Sequence, residues 1–212
     1  LHDLKETGLV NQLKDQYDIV KYPKKQFLYQ EGSRPRFVYY VITGKLKSVK
    51  THEDGKEYIK ELYGEGDFIG HLPIIEDRNY DDTVVVLENA EILQLPKEDF
   101  MQMMNAEPAV LNKFVRLMTK NIREKEERLL TLAYSSLRKR VAKALLDIDS
   151  KYNKDESSSQ IDISRDDIAH YVGTATESLI RTLSDFKQEK LINITDGKIS
   201  LIKRDKLNNL LY

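Results

Sequence analysis

Residues 174 to 183 read TATESLIRTL and set Glu177 and Arg181 four apart, about one helical turn, with Thr176 and Ser178 beside them. A guanidinium presents its N–H donors as a rigid fork, which matches the O6 and N7 acceptors on one edge of guanine. A carboxylate one turn earlier can accept from the N4 amino group of cytosine. Thr176 and Ser178 are short enough to sit near a phosphate backbone or a thymine methyl. Leu179 and Leu183 recur on the opposite side, so a short helix here would bury those two and leave the polar set outside. The competing account is a solvated helix on which Arg181 merely pairs with Glu177, a contact worth about 0.2–0.5 kcal/mol. The neighbouring sequence decides between them.

Upstream lies ISRDDIAHYVG. Ser164 is placed as an N-cap with Asp167 at the third helical position, an approximate capping box with Asp in place of Glu. Ile168, Ala169 and Val172 form an inner face, and the small Ala169 lets a second helix approach. Gly173 supplies the sharp turn. Ala four residues before Gly and an aliphatic residue six after it is helix-turn-helix spacing. An ordinary helical hairpin is the alternative on these residues alone. Downstream, LINITDGKISLI flanks Asp196-Gly197 with two apolar runs, a tight hairpin and hence a wing. In a winged motif the second helix lies in the major groove and turns its N-terminal half to the bases. Thr176, Glu177, Ser178 and Arg181 are then the reading set, with Ser164 and Lys203 as further DNA-contact candidates. Lys203 or Arg204, just past the wing, would reach phosphate at most.

Composition narrows the field. With 40% hydrophobic and 33% charged residues the 212-residue chain reads as soluble, in one large or two modest domains. No Cys is present, which excludes disulfides, thiolate zinc sites and a Cys-ligated iron–sulfur cluster within the chain. His2, His52, His71 and His170 have no metal-ligand spacing, so no metal site is expected. No Walker loop, HExxH or nucleophile–base pair appears; Ser135-Ser136 and Ser157 to Ser159 read as a cap and a loop, so no enzyme is expected. No apolar run approaches the about 20 residues that a membrane helix needs, and a cytoplasmic location is expected. Net charge is −1, but residues 1–134 carry a small acidic excess and 135–212 a small basic one. The chain opens on Leu1 rather than Met, so an upstream sensory domain remains an open expectation.

From Tyr22 to Leu95 the pattern is that of strands. Apolar residues alternate in FVYYVITGKLKSV, and HEDGKEY centres on Asp54-Gly55, predicted as a two-residue turn with positive φ at both positions. TVVVLENAEILQL predicts two more strands, and short strands at this spacing suggest a barrel or sandwich. LPKEDFMQMMN then begins a helix with Glu98 and Asp99 near its positive end. Pro108 opens a long helical pattern in which Leu111, Val115, Met118, Ile122 and Leu129 form a stripe, interrupted near Lys125 and Glu126. A helix this long outruns one small barrel, so a symmetric partner helix is expected. Ser136 caps LRKRVAKALLDI, SKYNKDESSSQ is a loop, and IDI is a short strand.

With barrel, long helix and winged helix in this order, the chain resembles the CRP/FNR (cyclic-AMP receptor / fumarate-nitrate regulator) family of bacterial transcription factors. The residues that carry the resemblance are Gly44-Lys45-Leu46, Asp54-Gly55-Lys56-Glu57 and Gly66-Asp67-Phe68-Ile69-Gly70 on one side. On the other they are Ile163-Ser164-Arg165 through Val172-Gly173, then Glu177, Ser178 and Arg181. The resemblance implies an α+β fold: a cyclic-nucleotide-binding-like β-roll (a jelly roll), a long dimerisation helix and a C-terminal winged helix-turn-helix. It implies domains at 1–106, 107–134 and 135–212, with Leu111, Val115, Met118, Ile122 and Leu129 at a homodimer interface. It implies double-stranded DNA with two-fold symmetric sites, TGA in the half-sites, and RNA polymerase as a partner.

The departures concern the ligand. Effector-pocket candidates by position are Phe68, Gly70, His71, Leu72, Asp82, Thr83, Lys125 and Glu126. Cyclic-nucleotide members place Glu where this chain has His71, and supply Arg and Ser where it has Tyr80-Asp81-Asp82-Thr83. Two carboxylates repel a cyclic phosphate. Lys125 and Glu126 replace the small hydroxylated residues that meet adenine. Arg78 could swing in, but the local charge opposes it. Cyclic AMP is therefore not expected, and no effector is assigned. Thr176 replaces the Arg that precedes Glu in cyclic-AMP members, leaving open the base read through that Arg. Two other readings stand beside the DNA regulator: a cyclic-nucleotide-type regulatory module without DNA, which leaves the winged helix unexplained, and the output half of a longer signalling protein. A haem held by His71 weighs less than an ordinary lone histidine.

Overall fold

The structure, a computed structural model, describes residues 9–55, 57–106, 108–153 and 160–211. Of the residues discussed above, Leu1, His2, Lys56 and Ser157 to Ser159 lie outside the described residues. The elements run α1 (Leu9–Gln16), β1 (Ile19–Tyr22), β2 (Phe27–Tyr29), β3 (Phe37–Thr51), β4 (Glu57–Tyr63) and β5 (Phe68–Ile69). Then come α2 (His71–Ile75), β6 (Thr83–Pro96), α3 (Lys97–Ala106), α4 (Pro108–Tyr134) and α5 (Leu137–Tyr152). The chain closes with β7 (Gln160–Ile161), α6 (Arg165–Val172), α7 (Thr176–Gln188), β8 (Ile192–Thr195), β9 (Lys198–Leu201) and α8 (Arg204–Asn209). Two compact units result: Leu1–Lys50 with Tyr63–Lys125, and Thr51–Leu62 with Glu126–Tyr212.

Period-2 alternation builds the first unit. Along β3, Val38 and Tyr40 enter one apolar cluster while Tyr39 and Val41 enter another; along β6, Leu93 and Leu95 divide from Ala90 and Ile92 in the same way. Each strand is thus buried on both faces. The first cluster adds Leu13 from α1, Phe100 from α3 and Phe114 from α4, so helices cover that face. The second cluster fills the strand-lined interior. Strand order is β1-β6-β3-β4, with β2 on β6 and β5 on β3.

The run TVVVLENAEILQL proves to be one strand, not the two expected. Gly44 lies where β3 and β6 meet tightly. Its φ is 99°, and a Cβ there would sit 2.5 Å from the Cα of Ala90. The pairing of β3 with β6 shifts register between Val41 and Leu46, where five steps along β3 face six along β6, so both strands bend together and β6 stays one strand. Asn89, at that bend, accepts from the Lys24 backbone N–H at 2.8 Å.

Asp54-Gly55 is also corrected. Only Gly55 has positive φ, 79°. Its N–H donates to the His52 carbonyl at 2.9 Å, so Glu53 and Asp54 are the central residues and Gly55 follows them. A contact of 2.9 Å from His52 Nδ1 to the Asp54 carboxylate accompanies this local turn. Helices α1, α2 and α8 were not apparent from periodicity; each is short, and α2 contains Pro73.

The second unit is a three-helix core with a small sheet. Val141, Leu145 and Ile148 of α5 are buried with Ile168 and Val172 of α6 and the Leu179–Leu183–Phe186 face of α7. Each fully buried Leu or Phe contributes about 1.5–3 kcal/mol relative to exposure. The sheet order is β7-β9-β8, with Ile161 opposite Ile199. Ser136 caps α5 by accepting from Lys139 N–H, as its position predicts. Asp149, fully buried, is ion-paired with Arg204 and accepts from Asn153 at 2.7 Å. No described helix is long and apolar enough to cross a membrane.

His71 lies in the first unit with its ring edge-on to Phe114, centroids 5.1 Å apart, and 7% exposed. Its Nδ1 has no hydrogen-bond partner among the described residues. Burial, then the charge of Lys125, lowers its pKa from 6.5 to about 4. The unfolded chain therefore takes up this proton first. Stability present above pH 6.5 is lost as pH falls toward 4, by about 3 kcal/mol at this site. Denaturant unfolding at pH 7 and pH 4 should show His71→Leu losing less stability than wild type over that interval. Equal losses would count against the assignment.

Candidate nucleic-acid interface

The helix-turn-helix assembles from its caps outward. The Ser164 hydroxyl accepts from Asp167 N–H at 3.0 Å and donates to the Asp167 carboxylate at 2.8 Å, so the predicted cap forms and occupies that hydroxyl. Asp166 and Asp167 sit at the positive end of α6. At its other end Gly173 adopts φ 71°, and the N–H groups of Gly173 and Thr174 both reach the Ala169 carbonyl. A Cβ on Gly173 would come 3.3 Å from Leu132 Cδ2. Gly therefore suits the dihedral, and a side chain there would also press on Leu132.

Helix α7 begins at Thr176, whose hydroxyl donates to the Asp166 carboxylate at 2.9 Å and so ties the two helices together. Leu179, Thr182, Leu183 and Phe186 are buried. Ser178 is half-buried, and its carbonyl accepts from the Thr182 hydroxyl. Glu177 and Arg181 are exposed, and among the described residues neither has an ion-pair partner. The bland account, a mutual Glu177–Arg181 pair, is thus not what this helix makes. Between them Ile180 is 51% exposed, an apolar side chain on the open face. Sequence reasoning missed Ile180. Its position three residues after Glu177 and one before Arg181 was the available signal.

The wing follows its prediction. Asp196 and Gly197 have φ 50° and 79°, and Thr195 pairs with Lys198 across the two-residue turn. Arg165, part of the resemblance but given no role by it, donates from Nη2 to the Gly197 carbonyl at 2.9 Å, holding the wing tip to the start of α6. Lys203 is half-exposed beyond the wing. Arg204 is corrected: a buried carboxylate requires a counter-charge, and Asp149 takes the guanidinium that was expected at phosphate.

Among the effector candidates of the first unit, Gly70 and Asp82 lie beside Tyr80, whereas His71 faces Phe114. Asp82 is 6% exposed and accepts from the Ser48 hydroxyl at 2.5 Å and from Tyr29. Tyr29 stacks on Tyr80 with centroids 3.6 Å apart and planes 7° from parallel. Burial pushes the Tyr29 and Tyr80 hydroxyls far up and that of Tyr39 to about 12, so all three stay neutral. The Gly70 Cβ position lies 3.3 Å from the Tyr80 hydroxyl. The Thr83 hydroxyl accepts from Glu31 N–H, and Arg78 is held by Glu76 and Asp81. Phe68 packs on Tyr40 at 4.9 Å in the His71 cluster, while Leu72 is exposed. Lys125 and Glu126 are exposed and fall in different units. A cleft of about 820 Å³ lined by Gly32, Arg34, Pro73, Ile75, Arg78 and Lys97, among others, includes none of the candidates. Among the described residues no cluster of His, Asp or Glu could hold a metal.

Residues 19–107 match the family model of the cyclic nucleotide-binding domain, and residues 139–210 match that of the Crp-like helix-turn-helix domain. The chain is 25% identical to the cyclic AMP receptor protein of Thermus thermophilus over 90% of this chain and 87% of the relative. It is 28% identical to the cAMP-activated global transcriptional regulator CRP of Salmonella typhimurium over 82% and 85%. Its fold matches that of FixK2 from Bradyrhizobium japonicum with a TM-score of 0.79 at 22% identity, covering 92% and 96% of the two chains. The cyclic nucleotide-binding and Crp-like helix-turn-helix models, matched in this order on either side of the long helix, make this chain a member of the CRP/FNR family, a DNA-binding transcriptional regulator and not an enzyme.

Proposed function

We propose that the chain acts as a homodimer that binds an inverted repeat of double-stranded DNA in a sequence-specific way, independently of cyclic AMP. The observation that carries the reading is the exposed, unpaired Glu177–Ile180–Arg181 face on a helix braced by Gly173, Thr176 and the wing. In this reading Arg181 takes guanine O6 and N7, Glu177 takes cytosine N4, and Ile180 meets a thymine methyl. Lys203 contacts phosphate, and Ser164 contributes through its place at the N-terminus of α6. The proposed division is an effector-type roll at 1–106, a dimerisation helix at 107–134 and a DNA-binding domain at 135–212. RNA polymerase is the proposed partner, and the cytoplasm the proposed location.

Selection from randomised duplex should return half-sites containing TGA, centred about one helical turn apart. Arg181→Ala should cost about 1–3 kcal/mol on the selected site and relax preference at the guanine. An unchanged motif and affinity would mean that the reading helix has been misassigned.

The dimer reading is supported by α4. Leu111, Val115, Ile122 and Leu129 are 42%, 49%, 63% and 66% exposed, whereas Met118 packs against the first unit's core. An apolar row of this length in water marks a partner surface. Ile122→Asp places a charge on that seam and should give monomers by sedimentation at tens of micromolar. A monomeric wild type under the same conditions would defeat the proposal.

Two of the relatives are named for cyclic AMP, but the residues here oppose it. The Tyr29–Tyr80 stack and the Asp82–Ser48 pair occupy the interior with aromatic rings and a carboxylate, and an anionic phosphate would be repelled by Asp82. Calorimetric titration with cyclic AMP should give no micromolar binding, and a micromolar isotherm would overturn this part of the reading.

A further inference from the structure

The second unit contains a guanidinium that reaches three backbone carbonyls from two distant segments. Arg128 Nη1 donates to the Lys60 carbonyl at 2.6 Å, and Nη2 donates to the carbonyls of Ile59 at 2.7 Å and Tyr171 at 2.9 Å. Its guanidinium carbon lies 4.0 Å from the Tyr171 ring centroid and 5.1 Å from that of Tyr58. Residue 171 belongs to the last turn of α6, where carbonyls lack helical partners and the dipole is negative. Arg140 serves the next two, reaching the Val172 and Gly173 carbonyls at 3.4 and 3.3 Å. Leu132, one turn beyond Arg128 on α4, packs where Gly173 has no side chain. Glu57 adds a second link from β4 to α6, 3.9 Å from His170 Nδ1.

We propose that Arg128 is a positioning residue for DNA reading: it joins the C-terminal half of α4, the edge of β4 and the end of α6, and thereby sets the angle at which α7 leaves Gly173. The inference rests on the regulator reading above. The carbonyls at 171 to 173 immediately precede the turn into α7, so holding them fixes where that helix starts. A planar fork stacked on Tyr171 restricts rotation as well as distance, which the point charge of a lysine does not. Since the donors of both terminal nitrogens face backbone carbonyls, Arg128 does not act as a phosphate contact. In a homodimer the separation of the two reading helices is inherited from α4. A fixed angle between residues 126–134 of α4 and α7 makes the protein intolerant of altered half-site spacing.

The test uses the full chain, the selected inverted repeat and two duplexes with half-sites moved one base pair closer or farther. Arg128→Met should bind the selected site about tenfold more weakly, in keeping with the loss of charge-assisted hydrogen bonds. It should also discriminate less between the three duplexes than wild type, with an unchanged slope of log affinity against log salt. Arg128→Lys should behave like Arg128→Met, and it carries the test if the Met variant fails to fold. Wild-type spacing discrimination in the Lys variant would overturn the proposal. So would a uniform loss on all duplexes with a shallower salt slope, which is the signature of a phosphate contact. If wild type selects no inverted repeat, the regulator reading is what fails. The clamp is then judged by amide exchange at Gly173 and Thr174, which should quicken in Arg128→Lys; unchanged exchange there overturns it.

Discussion

The left-handed turn at Gly173 is the constraint on which the DNA-binding unit depends. It stands where α6 ends, with Leu132 Cδ2 of α4 only 3.3 Å from where a Cβ would stand. Two requirements therefore fall on one residue: positive φ, which any L side chain resists, and contact with a neighbouring helix, which any side chain would obstruct. With the turn fixed, Ala169 takes both amides that follow, Thr176 reaches back to Asp166, and α7 buries Leu179, Leu183 and Phe186 beneath it. Near the turn, the face left outside is chemically mixed, with the carboxylate of Glu177, the branched chain of Ile180 and the guanidinium of Arg181. Its composition follows from the burial of the other face.

Electrostatics divide the cations of this unit into two groups. Arg128, Arg140, Arg165 and Arg204 are turned inward, onto carbonyls or onto buried Asp149. A guanidinium suits such duty because it remains charged and offers several donors in one plane. Arg181 is left exposed. The modest charge excess of residues 135–212 thus says little about nucleic acid, because much of the basic content is structural.

Much of this was legible in the sequence where a residue type meets a local backbone requirement. Pro108 opens α4 at its first position, Ser136 and Ser164 cap α5 and α6, and Asp196-Gly197 turns the wing. These depend on neighbours within a few residues. What sequence reasoning missed depended on distant partners. That β6 stays one strand shows only in its irregular pairing with β3 around Gly44, and Arg204 is paired with a carboxylate far along the chain. Asp54-Gly55 looked the same as Asp196-Gly197, yet there Asp54 keeps negative φ in a turn closed from His52. The dipeptide alone does not distinguish them; the residues on either side do. In the roll, His71 and Asp82 were picked by position, and the structure places them in separate surroundings, one against Phe114 and one with Tyr29 and Ser48.

That last separation bears on control. A ligand shifts a conformational equilibrium only by its difference in affinity between the two states. For a molecule entering the roll interior, the starting state is already closed by the Tyr29–Tyr80 stack and by a carboxylate with its donors in place. An aromatic pair of this kind contributes about 0.5–1.5 kcal/mol beyond its buried area, and a buried carboxylate stripped of partners costs more. Any ligand would have to offset both before it gained anything by binding. A cation-seeking anion is the least suited to do so, because the group it would meet is Asp82. On the proposed reading the tyrosine-lined interior behaves as core, and the placement of the reading helix follows from contacts within its own unit, such as those at Gly173.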